Sequence, residues 1–328
     1  MMLIIRTPFR MSFLGGGTDY KEYYEEYGGS VISAAFDKYC YLTIRELPPF
    51  FEYKSQLTYS RIERFNTADE VEHPLVREAL RYMGTENIQI SYDADLPARS
   101  GIGSSSSFAV GLLQGLHALR GEYPDKMTLA KEAIMLEREL CSEAGGVQDQ
   151  IAVAYGGFNR IDFSKDGFNV TPLELSGERT EKLRSSLLLL FTGFTHFSGI
   201  VARQQQDNIS ARLSQLHTMK AFVDDGEKIL RSGDLDDFGR LLDDTWKYKK
   251  TLSDKITTDG IDLIYNKALS AGALGGKLLG AGGGGFMLLY VRPENRESVL
   301  SVLDGFKTIP FSFDYDGTKI IYKGSESL

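Results

Sequence analysis

Fourteen of the chain's 34 glycines sit in five short clusters, at 15–17, 101 and 103, 145–146, 275–276, and 280 with 282–285. Backbone without a Cβ can take left-handed dihedrals and let another group approach closely. A chain that concentrates glycine in this way is therefore built around several tight loops. At an average share of roughly 7%, a chain of this length carries about 23 glycines, and the 20 that remain outside the clusters (34 less 14) are an ordinary number. The excess belongs to the loops and not to the chain at large.

Around those loops the composition is that of a globular protein, with 42% hydrophobic and 25% charged residues, which excludes disorder and collagen-like repetition. Single cores stop growing near ~250 to 300 residues, so 328 residues predict two domains. The polar stretch SGERTEKLRS, 176–185, marks the joint and gives domains at 1–180 and 181–328. A net charge of −8 argues against broad affinity for nucleic acid or an anionic membrane. Any bound phosphate must then be held locally. Cys40 and Cys141 lack the spaced partners of a disulfide framework or a zinc site, and His73, His117, His196 and His217 show no metal-ligand spacing. The short apolar start before Arg6 lacks a cleavage site, and the longest apolar run, 286–291, is far too short to span a membrane. A cytoplasmic location is expected.

Hydrophobic periodicity predicts strands from Leu3 to Phe65, then a helix over 69–83 and a strand at NIQISY that empties into DADLPARSGIG. Phe108, Leu112, Leu113, Leu116 and Leu119 form one stripe of a helix over 104–119, with serines at its start as capping candidates. A second helix over 128–143 takes Thr128 as its N-cap. After strands at GGFNRIDF, FNVTPLEL and LLLLF, helices are predicted over 200–216, 219–231, 235–251 and 261–271. The loop KLLGAGGGG then feeds the strand FMLLYV, a helix over 294–303 and strands at 309–313 and 319–322.

The segment PARSGIGSSSSF, 97–108, carries the most chemistry. Gly101 and Gly103 let backbone N–H groups converge, and the helix that follows adds its positive end, which is how phosphate is held without many lysines. A bare Gly-x-Gly is more often a flexible loop before a capped helix, but four consecutive serines at the junction favour a phosphate site. GAGGGGF, 280–286, formally contains the dinucleotide fingerprint, yet its glycines run into a strand and not a helix, so that reading fails. GALGGKL fails as a phosphate-binding lysine loop, because Leu278 stands where a Ser or Thr would meet magnesium. Asp237-Phe238-Gly239 matches a protein-kinase triplet by chance, since no His-Arg-Asp loop accompanies it. Glu137 and Asp149 flank the Gly145-Gly146 turn. A glycine turn can bring both to one locus, where one holds magnesium and the other accepts a hydroxyl proton. Taken alone, such acids are mostly solvated surface groups.

Three segments, TPFRMSFLGGGTDY at 7–20, PARSGIGSSSS at 97–107 and GGKLLGAGGGGF at 275–286, resemble in order and spacing the three motifs of the GHMP kinase superfamily. Within it the chain looks most like the D-glycero-D-manno-heptose 7-phosphate kinases, through FLGGGTDY and the run WKYKKTLSDKIT. The resemblance implies an α+β fold of two domains, the first like ribosomal protein S5 domain 2 and the second ferredoxin-like, with ATP and sugar meeting between them. By motif position, Gly101, Ile102, Gly103, Ser104, Ser105 and Ser106 would wrap the ATP phosphates. Ser105 (or Ser104) and Glu137 would hold Mg2+, and Asp149 would be the catalytic base. Arg10 would sit beside the reacting hydroxyl. Asp19, Gly16, Gly17, Gly282 and Gly283 would meet the sugar.

Galactokinases carry Glu-His where this chain has Gly16-Gly17, which leaves room for a larger or phosphorylated substituent. Arg99, Lys38, Arg203, Lys247, Lys249 and Lys250 are candidates to meet a second phosphate, although most such cations are solvated surface charges. The expectation is an ATP-dependent kinase acting on the anomeric C1 hydroxyl of D-glycero-D-manno-heptose 7-phosphate to give the 1,7-bisphosphate. The alternatives are another sugar kinase of the superfamily, acting on galactose, fucose or a uronic acid, or a non-catalytic sugar and ATP sensor. The partners implied are the sugar phosphate and ATP, with no nucleic acid and no membrane. The sequence leaves a homo-oligomer open.

Overall fold

The β-branched and aromatic residues near the start form two long antiparallel strands in the computed structural model, which describes residues 1–193 and 198–324. These are β1 (Met2–Leu14) and β2 (Gly29–Glu46), joined through the short helix α1 (Lys21–Tyr27). Four residues each in β3 (Ser55–Thr58) and β4 (Ile62–Phe65) precede β5 (Ile88–Ala94). β2 pairs with β5 through residues 40–46 and with β6 (Phe158–Ser164) through 29–34, and β7 (Gly167–Pro172) extends that second branch. All these pairings are antiparallel except β3 with β5.

The helices follow the expected periodicity but not always the expected ends. The helix predicted from residue 69 begins instead at Pro74, as α2 (Pro74–Met83), because proline has no N–H to donate and is well placed at a first helical position. A single 3₁₀ turn occupies Ala68–Glu70. α3 (Ser104–Leu119) matches its stripe, but Gly103 stands at its N-cap and no serine caps it. α4 (Lys126–Ile134) is capped by the Asp125 carboxylate, which accepts from the Thr128 N–H at 2.7 Å, so Thr128 is donor and not cap. α5 (Gln148–Tyr155) follows the Gly145-Gly146 turn. The stretch expected to be a domain joint folds as α6 (Gly177–Ser186), with Ser176 accepting from the Arg179 N–H.

The second sheet begins with β8 (Leu187–Phe191). Helices α7 (Ser198–Asp207), α8 (Leu213–Ser232), α9 (Leu235–Lys250) and α10 (Asp259–Ser270) lead to β9 (Ala273–Leu278), β10 (Phe286–Val291), α11 (Arg296–Val302) and β11 (Lys307–Ile309). The spatial order is β11-β8-β10-β9, all antiparallel, the split βαβ arrangement of a ferredoxin-like unit. The last strand, β12 (Lys319–Gly324), leaves this unit and pairs with β1 in the first sheet. Residues 310–313 form no strand; within them Phe313 makes only an isolated bridge to Phe36.

The continuous apolar texts of β8 and β10 have one cause. Successive side chains of a strand point to opposite faces, and both faces of this sheet are covered. Phe286, Leu288 and Tyr290 pack with Leu187 and Leu189 into the core shared with the first sheet. Met287, Leu289 and Val291 pack with Leu188 and Leu190 into a second core under α8, α10 and α11. Phe13 ties the halves together, stacked on Phe158 at 5.1 Å and tilted against Phe238 of α9 at 5.7 Å between ring centroids. The Asp-Phe-Gly triplet is thus helix packing. Phe238 is core, and a Cβ at Gly239 would lie 2.6 Å from the Tyr290 ring.

Candidate active site

A cleft of about 820 Å³ opens where the end of β1, the loop before α3, the turn before α5 and the loop after β9 converge. Each of these segments carries one of the glycine clusters. The loop before α3 is held from both sides. The Arg10 N–H donates to the Ile102 carbonyl at 3.0 Å, and the Phe286 N–H to the Ser100 carbonyl at 3.0 Å. Gly101, at φ +81°, and Gly280, at φ +71°, touch backbone to backbone: a Cβ at Gly280 would lie 2.4 Å from the Gly101 Cα. Only glycine fits at either place. Because no side chain caps α3, its first N–H groups stay available at the cleft, where Ser104 and Ser105 also line the wall. Ile102 itself is buried and serves to anchor the loop. Gly103 packs against the Arg10 side chain, with room for a Cβ no nearer than 3.1 Å.

Arg10 and Asp149 form a bidentate pair. Arg10 Nε donates to Asp149 Oδ1 and its Nη2 to Oδ2, each at 2.7 Å, while Nη1 donates to the Gly101 carbonyl at 2.7 Å. The guanidinium is buried, whereas the Asp149 side chain keeps 24% of its surface open to the cleft. Two parallel charge-assisted bonds fix the carboxylate's plane as well as its place. Asp19 lies close by and is buried. It accepts from the Gly17 N–H at 2.9 Å and from Gln148 Nε2 at 3.0 Å. Burial raises its pKa, and the neighbouring Asp149 charge adds to the rise.

Glu137 reaches the site through a local widening of its helix. Past α4 the chain continues as a π-helical turn, Met135–Leu140, in which the Cys141 N–H bonds the Leu136 carbonyl five residues back. This sets Glu137 inward and 1% exposed. Ser106 Oγ donates to Glu137 Oε2 at 2.7 Å, and Gln150 Nε2 donates to the same oxygen. Oε1 is left buried with no protein donor. A buried carboxylate oxygen without a donor suits a hard cation, for which oxygen ligands are preferred.

Comparison with known proteins matches residues 68–157 to the GHMP kinases N terminal domain and residues 227–306 to the GHMP kinases C terminal domain, together just over half of the chain. The chain belongs to the GHMP kinases. It is an ATP-dependent phosphotransferase of the sugar-kinase kind, and enzymes of this family use ATP, typically with Mg2+. It is 28% identical to a D-glycero-alpha-D-manno-heptose 7-phosphate kinase of Campylobacter jejuni over 96% of this chain and 97% of that one. It is 23% identical to a galactokinase of Pyrococcus furiosus over 90% and 91%. A D-glycero-D-manno-heptose 1-phosphate kinase from Bacteroides thetaiotaomicron superposes with a TM-score of 0.80 at 25% identity, covering 99% of this chain and all of that one.

In this GHMP kinase the cleft gathers Arg10, Asp149, Asp19, Glu137, Gly16, Gly17, Gly101, Gly103, Ser104, Ser105 and Ser106. It does not gather Gly282 or Gly283, which turn against Ile256: the Gly283 N–H donates to the Ile256 carbonyl at 2.9 Å. Gly280 and Ala281 line the cleft in their place. Of the serines, Ser106 meets Glu137, while Ser105 is exposed at the cleft wall. Of the six candidate cations, Arg99, Arg203 and Lys249 line the cleft; Lys38, Lys247 and Lys250 pair with Asp37, Asp243 and Asp262. His196 lies outside the described residues. Sequence reasoning missed Gln148, Gln150, Lys277 and Arg138, the last of which holds the turn before α5 by donating to the Glu143 and Gly146 carbonyls. The only sequence signal was that the two glutamines flank Asp149. No described helix is long and apolar enough to cross a membrane.

Proposed function

We propose that this kinase transfers the γ-phosphoryl group of ATP to the anomeric C1 hydroxyl of D-glycero-D-manno-heptose 7-phosphate, giving the 1,7-bisphosphate. The reading is carried by the charge of the cleft. Although the chain is net −8, seven basic and five acidic side chains line the cleft, which suits a nucleotide and a second phosphorylated ligand together. Two further facts support it. A Cβ at Gly16 would find no atom nearer than 3.7 Å, so the sugar's far end has space there. The Campylobacter jejuni relative, matched almost end to end, bears the corresponding name.

In this mechanism the uncapped N–H groups of α3, with Ser104 and Ser106 near them, hold the ATP phosphates. Glu137 Oε1 and the Ser105 hydroxyl are the groups that would hold Mg2+, which would supply positive charge to offset that of the transferring phosphates. Asp19 accepts from sugar hydroxyls and so orients the ring. Asp149 meets the C1 hydroxyl. Arg10 engages both its oxygens and so holds the carboxylate in place to take the proton as the new O–P bond forms. Such transfer passes through a loose transition state, in which positioning and charge stabilisation do most of the work.

Phosphorus NMR of a reaction with ATP and heptose 7-phosphate tests the proposal. A new anomeric phosphate signal beside an unchanged 7-phosphate signal is expected. Faster ADP release with an unphosphorylated hexose than with the heptose phosphate overturns it in favour of another sugar kinase.

A further inference from the structure

Among the described residues, two buried amino groups on the cleft wall meet no carboxylate. Lys249, on α9, is 7% exposed, and its Nζ donates to the Leu278 carbonyl at 2.9 Å and to the Gly280 carbonyl. Lys277, on β9, is 2% exposed, and its Nζ donates to the Phe13 carbonyl at 2.8 Å. Both line the cleft. Lys247 and Lys250 of the same helix reach Asp243 and Asp262, whereas among the described residues Lys249 and Lys277 donate only to backbone oxygens, with Lys249 Nζ also 5.9 Å from the centre of the Trp246 ring. When charged, each amine has three N–H donors, which would leave one on Lys249 and two on Lys277 for a ligand. Ser12 Oγ, also on the cleft wall and 5% exposed, has no partner.

Burying a cation without a counter-charge is costly, and buried charges are ordinarily paired. Two side by side, with spare donors and an orphaned hydroxyl, make a prepared place for an anion. We infer that Lys249, Lys277 and Ser12 form a buried phosphate-oxygen site in the cleft wall, between the end of β1 and the loop after β9. The phosphate is either the substrate's own, which rests on the function proposed above, or the transferring end of the nucleotide, which does not. The site is tied to the loop that packs on Gly101, because Lys249 holds the Gly280 carbonyl and Gly280 rests on Gly101.

Proton linkage gives this site a signature. Burial pulls Lys249 down to about 7; Arg10 pulls the same way, and Asp19 and Asp149 oppose it. Burial, Lys249 and Arg10 pull Lys277 well below its ordinary value, opposed by Asp19. A phosphate bound between them favours the charged amines, so protons enter from solvent as it binds. A group titrating near 7 is about half protonated at pH 7, so Lys249 alone takes up to about half a proton.

The test is calorimetry at pH 7 in two buffers of different ionisation enthalpy, with AMP-PNP plus Mg2+, D-glycero-D-manno-heptose 7-phosphate and the unphosphorylated heptose as probes. Proton uptake is expected with a phosphate ligand and not with the unphosphorylated heptose. In Lys249→Gln, which keeps an amide donor for the two carbonyls, that uptake falls and affinity for the same ligand drops about ten-fold or more. Lys277→Gln gives the same result independently and serves if the first variant fails to fold. Loss confined to the heptose phosphate assigns the site to the substrate, and loss confined to the nucleotide assigns it to the transferring phosphate. Unchanged uptake and affinity for both ligands in a folded variant overturn the inference. Wild-type protein that binds heptose 7-phosphate no tighter than the free heptose removes the substrate reading, and the nucleotide measurements then decide the lysines alone.

Discussion

A methyl group added at Gly146 would lie 1.9 Å from Asp19 Oδ2, and one added at Gly16 would find nothing nearer than 3.7 Å. Gly146→Ala must therefore displace the carboxylate or the turn. It is expected to cost about 1–3 kcal/mol of stability and to lower kcat/KM for the sugar by about 10², read by denaturation and steady-state kinetics. Gly16→Ala should stay within about 0.5 kcal/mol of the parent. Asp149→Asn is expected to keep nucleotide affinity by calorimetry and to lose about 10² to 10⁴ in turnover. Near-normal turnover removes Asp149 from the proton-accepting role. Arg10 was named through its place in the family motif and Glu137 and Asp149 also as acids around the 145–146 turn, and all three line one cleft. Lys277 was not named, since its partner, the Phe13 carbonyl, lies 264 positions away and no local pattern announces it.

The ends of α2 and α4 show how elements are set by single residues. Pro74 starts one helix and Asp125 caps the other, in both cases a few residues from where apolar periodicity alone would place the start, because periodicity reports the buried face and not the boundary. The π-helical turn that directs Glu137 inward has no sequence signature of its own. At the level of loops, Gly101 and Gly280 act as one element. Gly280→Ala combines a left-handed backbone with a 2.4 Å approach to the Gly101 Cα. Strain of about 1–3 kcal/mol should pass to the partner loop. A rise of about ten-fold or more in nucleotide KM, with a smaller change for the sugar, is expected from initial-rate kinetics. Equal KM values for both substrates in variant and parent would show that the loops are not coupled.

The whole molecule is joined through Phe13, Phe158 and Phe238, which bring the two sheets into one core. Phe238→Ala is expected to cost about 3–5 kcal/mol and to leave a single cooperative transition, followed through the fluorescence of Trp246. Separate transitions for the two sheets would contradict a shared core. Stability should also depend on pH. Lys249 titrates near 7 in the folded protein and near 10.4 unfolded. Between these values the unfolded chain binds the extra proton, so stability rises with pH, at up to ~1.4 kcal/mol per pH unit. Lys277 acts in the same direction. Urea denaturation at pH 7, 8 and 9 should show the rise, and Lys249→Gln should reduce its slope.

By itself the sequence determined where the special backbone lies. The glycine clusters, the serines that open α3 and the acids around the 145–146 turn are local signals, readable because a missing Cβ or a helix start constrains its own neighbourhood. The continuous apolar strands were likewise legible as buried. What only the tertiary structure decided is which groups meet. The pairing of Arg10 with Asp149, the two donors on one oxygen of Glu137, the turn of Gly282 and Gly283 away from the cleft, and the two lysines left without carboxylates all depend on contacts between distant segments. Such contacts are set by strand register and sheet packing, in which a shift of one position turns every side chain to the other face.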